Sequence, residues 1–358
     1  MQKIIEFTKK IVACRSVFGD KEEISRCLDL IKGEFGTDFI VREYFLQDRP
    51  MLVLSNAEDK IVDLIFAGHI DVVQAEALLF STIEQEEKLI GRGVFDMKGP
   101  LVATLYAVQK IVKKTKLKIA IFITSDEEVD GLSVDYLLNF GYRANFAILP
   151  DGGNDFSLVV GQNGLAQYKI TFTGQSTHAS SPWEGDNPFV AALNVCGRLQ
   201  AEFPDPLNES DWKTSVSVTR IASGQTTNQI PAKLEMYLDI RFVDEKDLDK
   251  VLAIINYQTS VAFEAVVKNG GLKSDQNNHY VVELKKIMEK TLGKTVGYFR
   301  TAGTSDAIYF AQKNIPAVLF RPQGGNQHSD GEWVDKNSLV KFYNILVDYL
   351  EKLNHSTV

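Results

Sequence analysis

The stretch "KIAIFITSDEEVDG" occupies residues 118–131. Its first half is an unbroken apolar run of strand length, the pattern of a strand covered on both faces. Its second half places Asp126, Glu127 and Glu128 in a row at the carboxyl end of that strand. A strand buried on both sides needs helices above and below it. Adjacent carboxylates at its end need a positive partner.

The flanking sequence repeats the theme. "MLVLSNA" (51–57), "VDLIFAGHIDVV" (62–73), "ANFAILP" (144–150) and "IPAVLFRP" (315–322) are further buried-strand runs. Between them, "IIEFTKKIVACRSV", "EEISRCLDLIKGEF", "PLVATLYAVQKIVKK", "YVVELKKIMEKTLG" and "SLVKFYNILVDYLEKL" carry helical periodicity. Pro100 stands in the first turn of the third, where a missing N–H costs least. This alternation predicts an α/β domain with a largely parallel sheet.

From about residue 165 the texture changes. "LAQYKITFTGQ" alternates with a two-residue period, and "NPFVAALNVCGRLQAEF" reads as a helix capped by Asn187. "SVSVTRIASG", "AKLEMYLDIRFV", "EKDLDKVLAIINYQ" and "VAFEAVV" follow as strand, strand, helix and strand. That order suits a small α+β, ferredoxin-like domain. The expected architecture is a discontinuous α/β domain, residues 1–164 and 273–358, interrupted by a smaller domain at 165–272.

The chain has 358 residues and a formal net charge of −8, which argues against nucleic acid as a partner. No apolar run approaches the roughly 20 residues of a membrane span. The first residues lack the apolar core of a secretory signal. Cys14, Cys27 and Cys196 are scattered, with no CxxC, and read as reduced thiols. A cytoplasmic location is expected.

Ligands of parallel α/β sheets bind beyond the carboxyl ends of the strands. "LIFAGHIDVV" brings His69 and Asp71 there, "FAILPDGG" brings Asp151, and His328 follows "AVLFRPQGGNQ". "GRGVFDMKGP" sets Asp96 in a glycine-flanked loop that opens a helix. Singly, each has a plain explanation: a surface histidine, a helix cap, the start of a turn. Together, acids and imidazoles converging on one sheet edge point to a metal site. Imidazole and carboxylate suit Zn2+, with Co2+ or Mn2+ as alternatives.

The set "GHIDVV", "GRGVFDMKGP", "TSDEEVDG", "LPDGG", "GQSTHASSPWEGDNP", "TTNQIPAKLEMYLDIR", "GTSDA" and "QHSDGEW" resembles, in order, the M20 family of metallohydrolases. That family includes acetylornithine deacetylase, succinyl-diaminopimelate desuccinylase, carboxypeptidases, and di- and tripeptidases. The resemblance implies two divalent metal ions. His69 and Asp151 would bind one, Glu128 and His328 the other, and Asp96 would bridge them. Glu127 would be the general acid/base, and Asp71 would orient His69 by accepting its other ring N–H. The resemblance also implies a cis Asp96–Met97 peptide and a homodimer formed through the inserted domain, which would act as dimerisation or lid domain. His178 would then reach the neighbouring site. Asn228, Arg241, Gly303, Thr304 and Ser305 would hold the substrate, although Arg241 has a simpler role open to it as an ion-pair partner of Asp239 or Asp244.

The expected reaction is hydrolysis of the amide bond of a small N-acyl amino acid. An aminopeptidase or dipeptidase on a short peptide is the alternative, since such members commonly carry Asp at the position of Asp151 and deacylases commonly carry Glu. A binding protein without activity on the same scaffold is a remoter one. "DVVQAE" lacks the usual proline after the first motif, which bears on the pocket rim.

Overall fold

The computed structural model describes residues 2–208, 211–258 and 261–356. The chain divides into two compact units. One comprises Met1–Val160, Lys273–Phe299 and Ser305–Val358, the other Gly161–Leu272 and Arg300–Thr304.

The first unit is built on a mixed sheet. Its leading strands are β1 (Ile40–Leu46), β2 (Arg49–Ser55), β3 (Ile61–His69), β4 (Ile119–Thr124) and β5 (Arg143–Leu149). The spatial order is β1–β2–β4–β3–β5, continued by strands Ala317–Leu319 and Leu158–Gln162. Only the central strands β4, β3, β5 and Ala317–Leu319 run parallel. β1 and β2 form an antiparallel hairpin, and β2 joins β4 antiparallel. The largely parallel sheet expected from sequence is therefore parallel only at its centre. β1, "IVREYFL", carries a charged pair, Arg42 and Glu43, and has no fully buried position because it lies at the margin. Its tight turn places Gln47 at φ 56°.

β4 is buried at all six positions, which explains its unbroken apolar sequence. Helix Lys98–Val112 is apolar almost all round, as suits a helix enclosed between sheet and neighbours. It packs against helices Gln2–Val12 and Lys336–Ser356. The parallel registers matter most for function. His69 pairs with Thr124, and Leu319 pairs with Leu149. Four strands thus end level, and whatever follows each of them emerges along one edge.

The second unit has the element order strand, helix, strand, strand, helix, strand. Its antiparallel sheet runs Ser215–Ser223, Lys233–Phe242, Gly164–Thr173, Val261–Asn269 in space, the ferredoxin-like arrangement. The alternation of Ala166, Tyr168, Ile170 and Phe172 puts one face of strand Gly164–Thr173 into the core. Val195 and Leu199 of helix Pro188–Glu202 and Leu248, Val251 and Ile255 of helix Glu245–Asn256 cover that face. Asn187 caps the first of these helices by accepting from the Phe189 N–H.

Candidate metal centre

His69 is the last residue of β3, Glu127 and Glu128 follow β4, Asp151 follows β5, and Arg321 follows Ala317–Leu319. The Asp96 loop opens helix Lys98–Val112, and the Asp96–Met97 peptide is cis. His328 lies in the loop after the last of these strands, at φ 59°. That left-handed conformation is uncommon for a side chain with a Cβ, although histidine tolerates it better than most.

Asp96 is the centre of the cluster. Its Oδ1 lies 3.5 Å from His69 Nε2, and its Oδ2 lies 3.1 Å from His328 Nε2. His328 Nε2 is also 3.0 Å from Glu128 Oε2. Ligand atoms of Asp96, Glu128 and His328 all fall within 4.8 Å of one another. Asp151 approaches the same group from beyond β5, its Oδ1 3.7 Å from Arg321 Nη1, which is 4.0 Å from Asp96 Oδ1. The five expected ligands are thus brought to one place, with Asp96 turning one oxygen toward each histidine.

These residues fit two divalent cations. His69 donates Nδ1–H to the main-chain carbonyl of Asp71 at 3.0 Å, which makes Nε2 the nitrogen that would give its lone pair to a metal ion on losing its proton. Nε2 is buried without a hydrogen-bond partner, an unusual state for such an atom. A metal ion is the partner its chemistry calls for. On the other side of Asp96, one imidazole and two carboxylates supply a second mixed donor set.

Asp71 departs from the expected role. Its carboxylate Oδ1 stands 3.5 Å from His69 Nδ1, farther than its own carbonyl oxygen, so the ring N–H goes to the main chain. Asp71 Oδ2 instead accepts the main-chain N–H of Glu128 at 3.0 Å. The residue ties the His69 strand end to the Glu128 turn.

Charge density sets the proton affinities of these groups. Burial works against the charge of Asp96, but His328, His69 and Arg321 outweigh it and hold the carboxyl below the usual range. For His328, hydrogen bonds to Asp96 and Glu128 push the imidazole up to about 10. His69 is raised well above its ordinary value: burial opposes this, and Asp71 and Asp96 prevail. Glu127 is driven well above the carboxylate range by burial and by Asp151, Asp306 and Asp96, with His69 opposing. Its side chain is 18 % exposed, so a proton can still reach it, and Oε2 lies 3.8 Å from His69 Nε2.

Three supporting residues escaped the sequence reading. Glu332 is buried, and its Oε1 accepts the N–H groups of Gly93, Phe95 and Asp96 while Oε2 accepts from Arg92 Nη1. One side chain thereby fixes the loop that carries Asp96. Gln327 donates Nε2–H to Asp96 Oδ2, and Arg321 donates to Gln327 Oε1. Arg321 had a visible signal, a charge directly after a buried strand, the same signal that singled out the acids.

The remaining expected residues belong elsewhere. His178, Asn228 and Arg241 lie in the second unit, as do Gly303 and Thr304, whereas Ser305 belongs to the first. The "GTSDA" segment is therefore divided, not wholly part of the first unit as expected. His178 Nδ1 is 2.8 Å from Ser180 Oγ within its own turn. The Asn228 carbonyl accepts the Ala179 N–H, which ties its loop to the His178 turn. Arg241 directs Nε to Asp239 Oδ1 at 2.8 Å, the simpler of the roles open to it. Gly303 N–H donates to Thr301 Oγ1, and Ser305 Oγ accepts from the Ala307 N–H.

The model of peptidase family M20/M25/M40 matches residues 65–352. A succinyl-diaminopimelate desuccinylase from Rickettsia massiliae is 27% identical over 326 residues, 81% of this chain and 84% of the relative. The aminopeptidase PepT of Bacillus cereus has a similar fold, with a TM-score of 0.82 at 19% identity and 98% of each chain covered. A dinuclear metal-binding peptidase of the same family from Bacillus subtilis superposes with a TM-score of 0.70 at 13% identity, covering 99% of this chain and 98% of that one. No helix among the described residues is long and apolar enough to cross a membrane.

Proposed function

As a member of peptidase family M20/M25/M40 the chain is a metal-dependent hydrolase, and we propose that it removes the acyl group from a small N-acyl amino acid. The observation that carries this reading is the placement of Asp96 between His69 and His328. It supports a two-ion centre with His69 and Asp151 on one side and Glu128 and His328 on the other. Zn2+ suits the donors best, and a pair of such ions supplies Lewis acidity to an amide carbonyl and acidifies a water.

The protein groups then have separate tasks. Glu127, beside the ligands but held by none of them, accepts a proton from the attacking water as its oxygen bonds to the carbonyl carbon. It returns that proton to the amide nitrogen as the C–N bond breaks, and the water's second proton passes from the new acid to the amine, so that a carboxylate and an ammonium group leave. Asp71 keeps His69 and the Glu128 turn in register. Asn228, Arg241 and the 303–305 segment are the proposed contacts for the substrate carboxylate, a task for which the planar guanidinium of Arg241 is suited. His178 is the proposed oxyanion donor, contributed across a homodimer. Exposed Val190 and Leu193 on helix Pro188–Glu202 and exposed Val218 and Ile221 on the outer strand Ser215–Ser223 favour such pairing.

The desuccinylase relative favours a deacylase. Asp151, in place of the glutamate common among deacylases, favours the second reading, an aminopeptidase or dipeptidase. The test is a panel of N-succinyl, N-acetyl and other N-acyl amino acids run beside di- and tripeptides, on protein loaded with Zn2+, Co2+ or Mn2+. Turnover of acylated amino acids with peptides left intact is expected. Cleavage confined to peptides with a free amino terminus would replace this reading by the second.

A further inference from the structure

Arg321 touches the neighbours of three of the five proposed ligands. Its guanidinium carbon lies 3.9 Å from the ring centroid of Phe95, the residue before Asp96. Its Nε donates to the carbonyl of Gly153, two residues after Asp151, at 2.7 Å. Its Nη2 donates to Gln327, the residue before His328, and Gln327 in turn donates to Asp96. The remaining nitrogen, Nη1, is buried and has no hydrogen-bond partner. It stands 3.7 Å from Asp151 Oδ1 and 4.0 Å from Asp96 Oδ1, too far for hydrogen bonds but close enough for strong attraction between charges in a buried place.

Other buried cations here are engaged differently. Lys98 donates to the carbonyls of Ile11 and Cys14, and Arg92 is paired with Glu332. Arg321 alone among these is clamped on three sides with its last nitrogen aimed between two proposed ligands. Such an arrangement costs the desolvation of an unpaired N–H. The cost is understandable if a positive charge must stand there whenever the acids lack another one.

We propose that Arg321 is a positioning residue that serves as the resident counter-ion of the metal centre. It holds Asp96 and Asp151 in ligand geometry before any cation arrives. Its charge then opposes the incoming cations, which keeps the site preformed but its metals exchangeable. This rests on the dinuclear reading given above.

The test compares chelator-treated wild type with Arg321→Met and Arg321→Lys. Two quantities are read: the melting temperature with and without added Zn2+, and the Co2+ binding isotherm followed by its visible absorption. Arg321→Met is expected to melt lower than wild type without metal. It should gain more on metal addition and bind Co2+ about tenfold more tightly. Arg321→Lys, which keeps the charge, should stay near wild type in the size of the metal-induced gain.

An equal metal-induced gain in wild type and Arg321→Met would overturn the proposal, since a purely structural arginine lowers both states alike. A smaller gain would overturn it too, by making Arg321 an aid to binding only. If Arg321→Met folds only with metal present, the proposal stands. If neither Arg321→Met nor Arg321→Gln folds under either condition, Arg321 belongs to the fold and the proposal falls. Absence of metal binding by wild type would instead remove the dinuclear reading itself.

Discussion

Glu127 and Glu128 are neighbours in sequence with different surroundings, and they should respond differently to the same substitution. Glu128 shares His328 with Asp96, whereas Glu127 keeps its carboxylate outside hydrogen-bonding distance of His69. Glu127→Gln should retain both metal equivalents and lose about 10²–10⁴-fold in kcat. Glu128→Gln should lose one equivalent, as counted by metal analysis after gel filtration. The reverse pattern would exchange their roles. His328 gives a second test. Its pKa, pushed up to about 10 by Asp96 and Glu128, lies above the ordinary value of about 6.5. It is therefore protonated at neutral pH, and a metal ion must displace that proton. Metal binding should release protons and tighten as pH rises from about 6 to 8, measured by titration calorimetry in buffers of different ionisation enthalpy. The sign for folding is opposite. In chelated protein the stabilisation from this raised pKa is complete below about 6.5 and lost as pH climbs through about 10. Binding without proton release would show that His328 enters the site neutral.

The Asp96 loop illustrates what an element owes to a distant side chain. Glu332 satisfies the N–H groups of Gly93, Phe95 and Asp96 and pairs with the Arg92 guanidinium, all out of water. Glu332→Ala would strand the arginine and those donors, a loss of roughly 3–5 kcal/mol. Urea unfolding of chelated protein should show it, with Glu332→Gln affected less because one acceptor oxygen remains. A loss below about 1 kcal/mol would mean that the loop is held by other contacts. Elements of this kind mark where sequence reading stopped. β3, β4 and β5 were legible because burial on both faces leaves an unbroken apolar run, and their level ends made His69, Glu127, Glu128 and Asp151 legible with them. The β1 strand was not, since a marginal strand keeps its polar residues. Helix Leu132–Asn139 was missed as well: it is short and begins after Gly131 in a left-handed turn, without a capping side chain. Glu332 meets its partners 236 to 240 positions away, and no local pattern records such a meeting. Nor does sequence say whether a ring N–H will find the carboxylate of Asp71 or its carbonyl.

At the scale of the whole molecule, the proposed homodimer makes a claim that single variants cannot test. His178→Ala and Glu127→Gln subunits should each be nearly inactive alone. Mixed under conditions that exchange subunits, they should regain part of the activity, because one site in each heterodimer would unite an intact Glu127 with an intact His178. No recovery after proven exchange would return His178 to its local turn with Ser180.

The first unit is assembled from chain segments on both sides of the second. Four of its proposed ligands are made early in synthesis, and the fifth, His328, emerges only after the whole intervening unit has left the ribosome. The nascent protein therefore has a long interval in which carboxylates and one imidazole are present but the centre is open on the His328 side. Arg321, made seven residues earlier, arrives almost together with it. On the proposed ligand set, the two-ion centre would be complete only once the segment carrying Arg321 and His328 has been made.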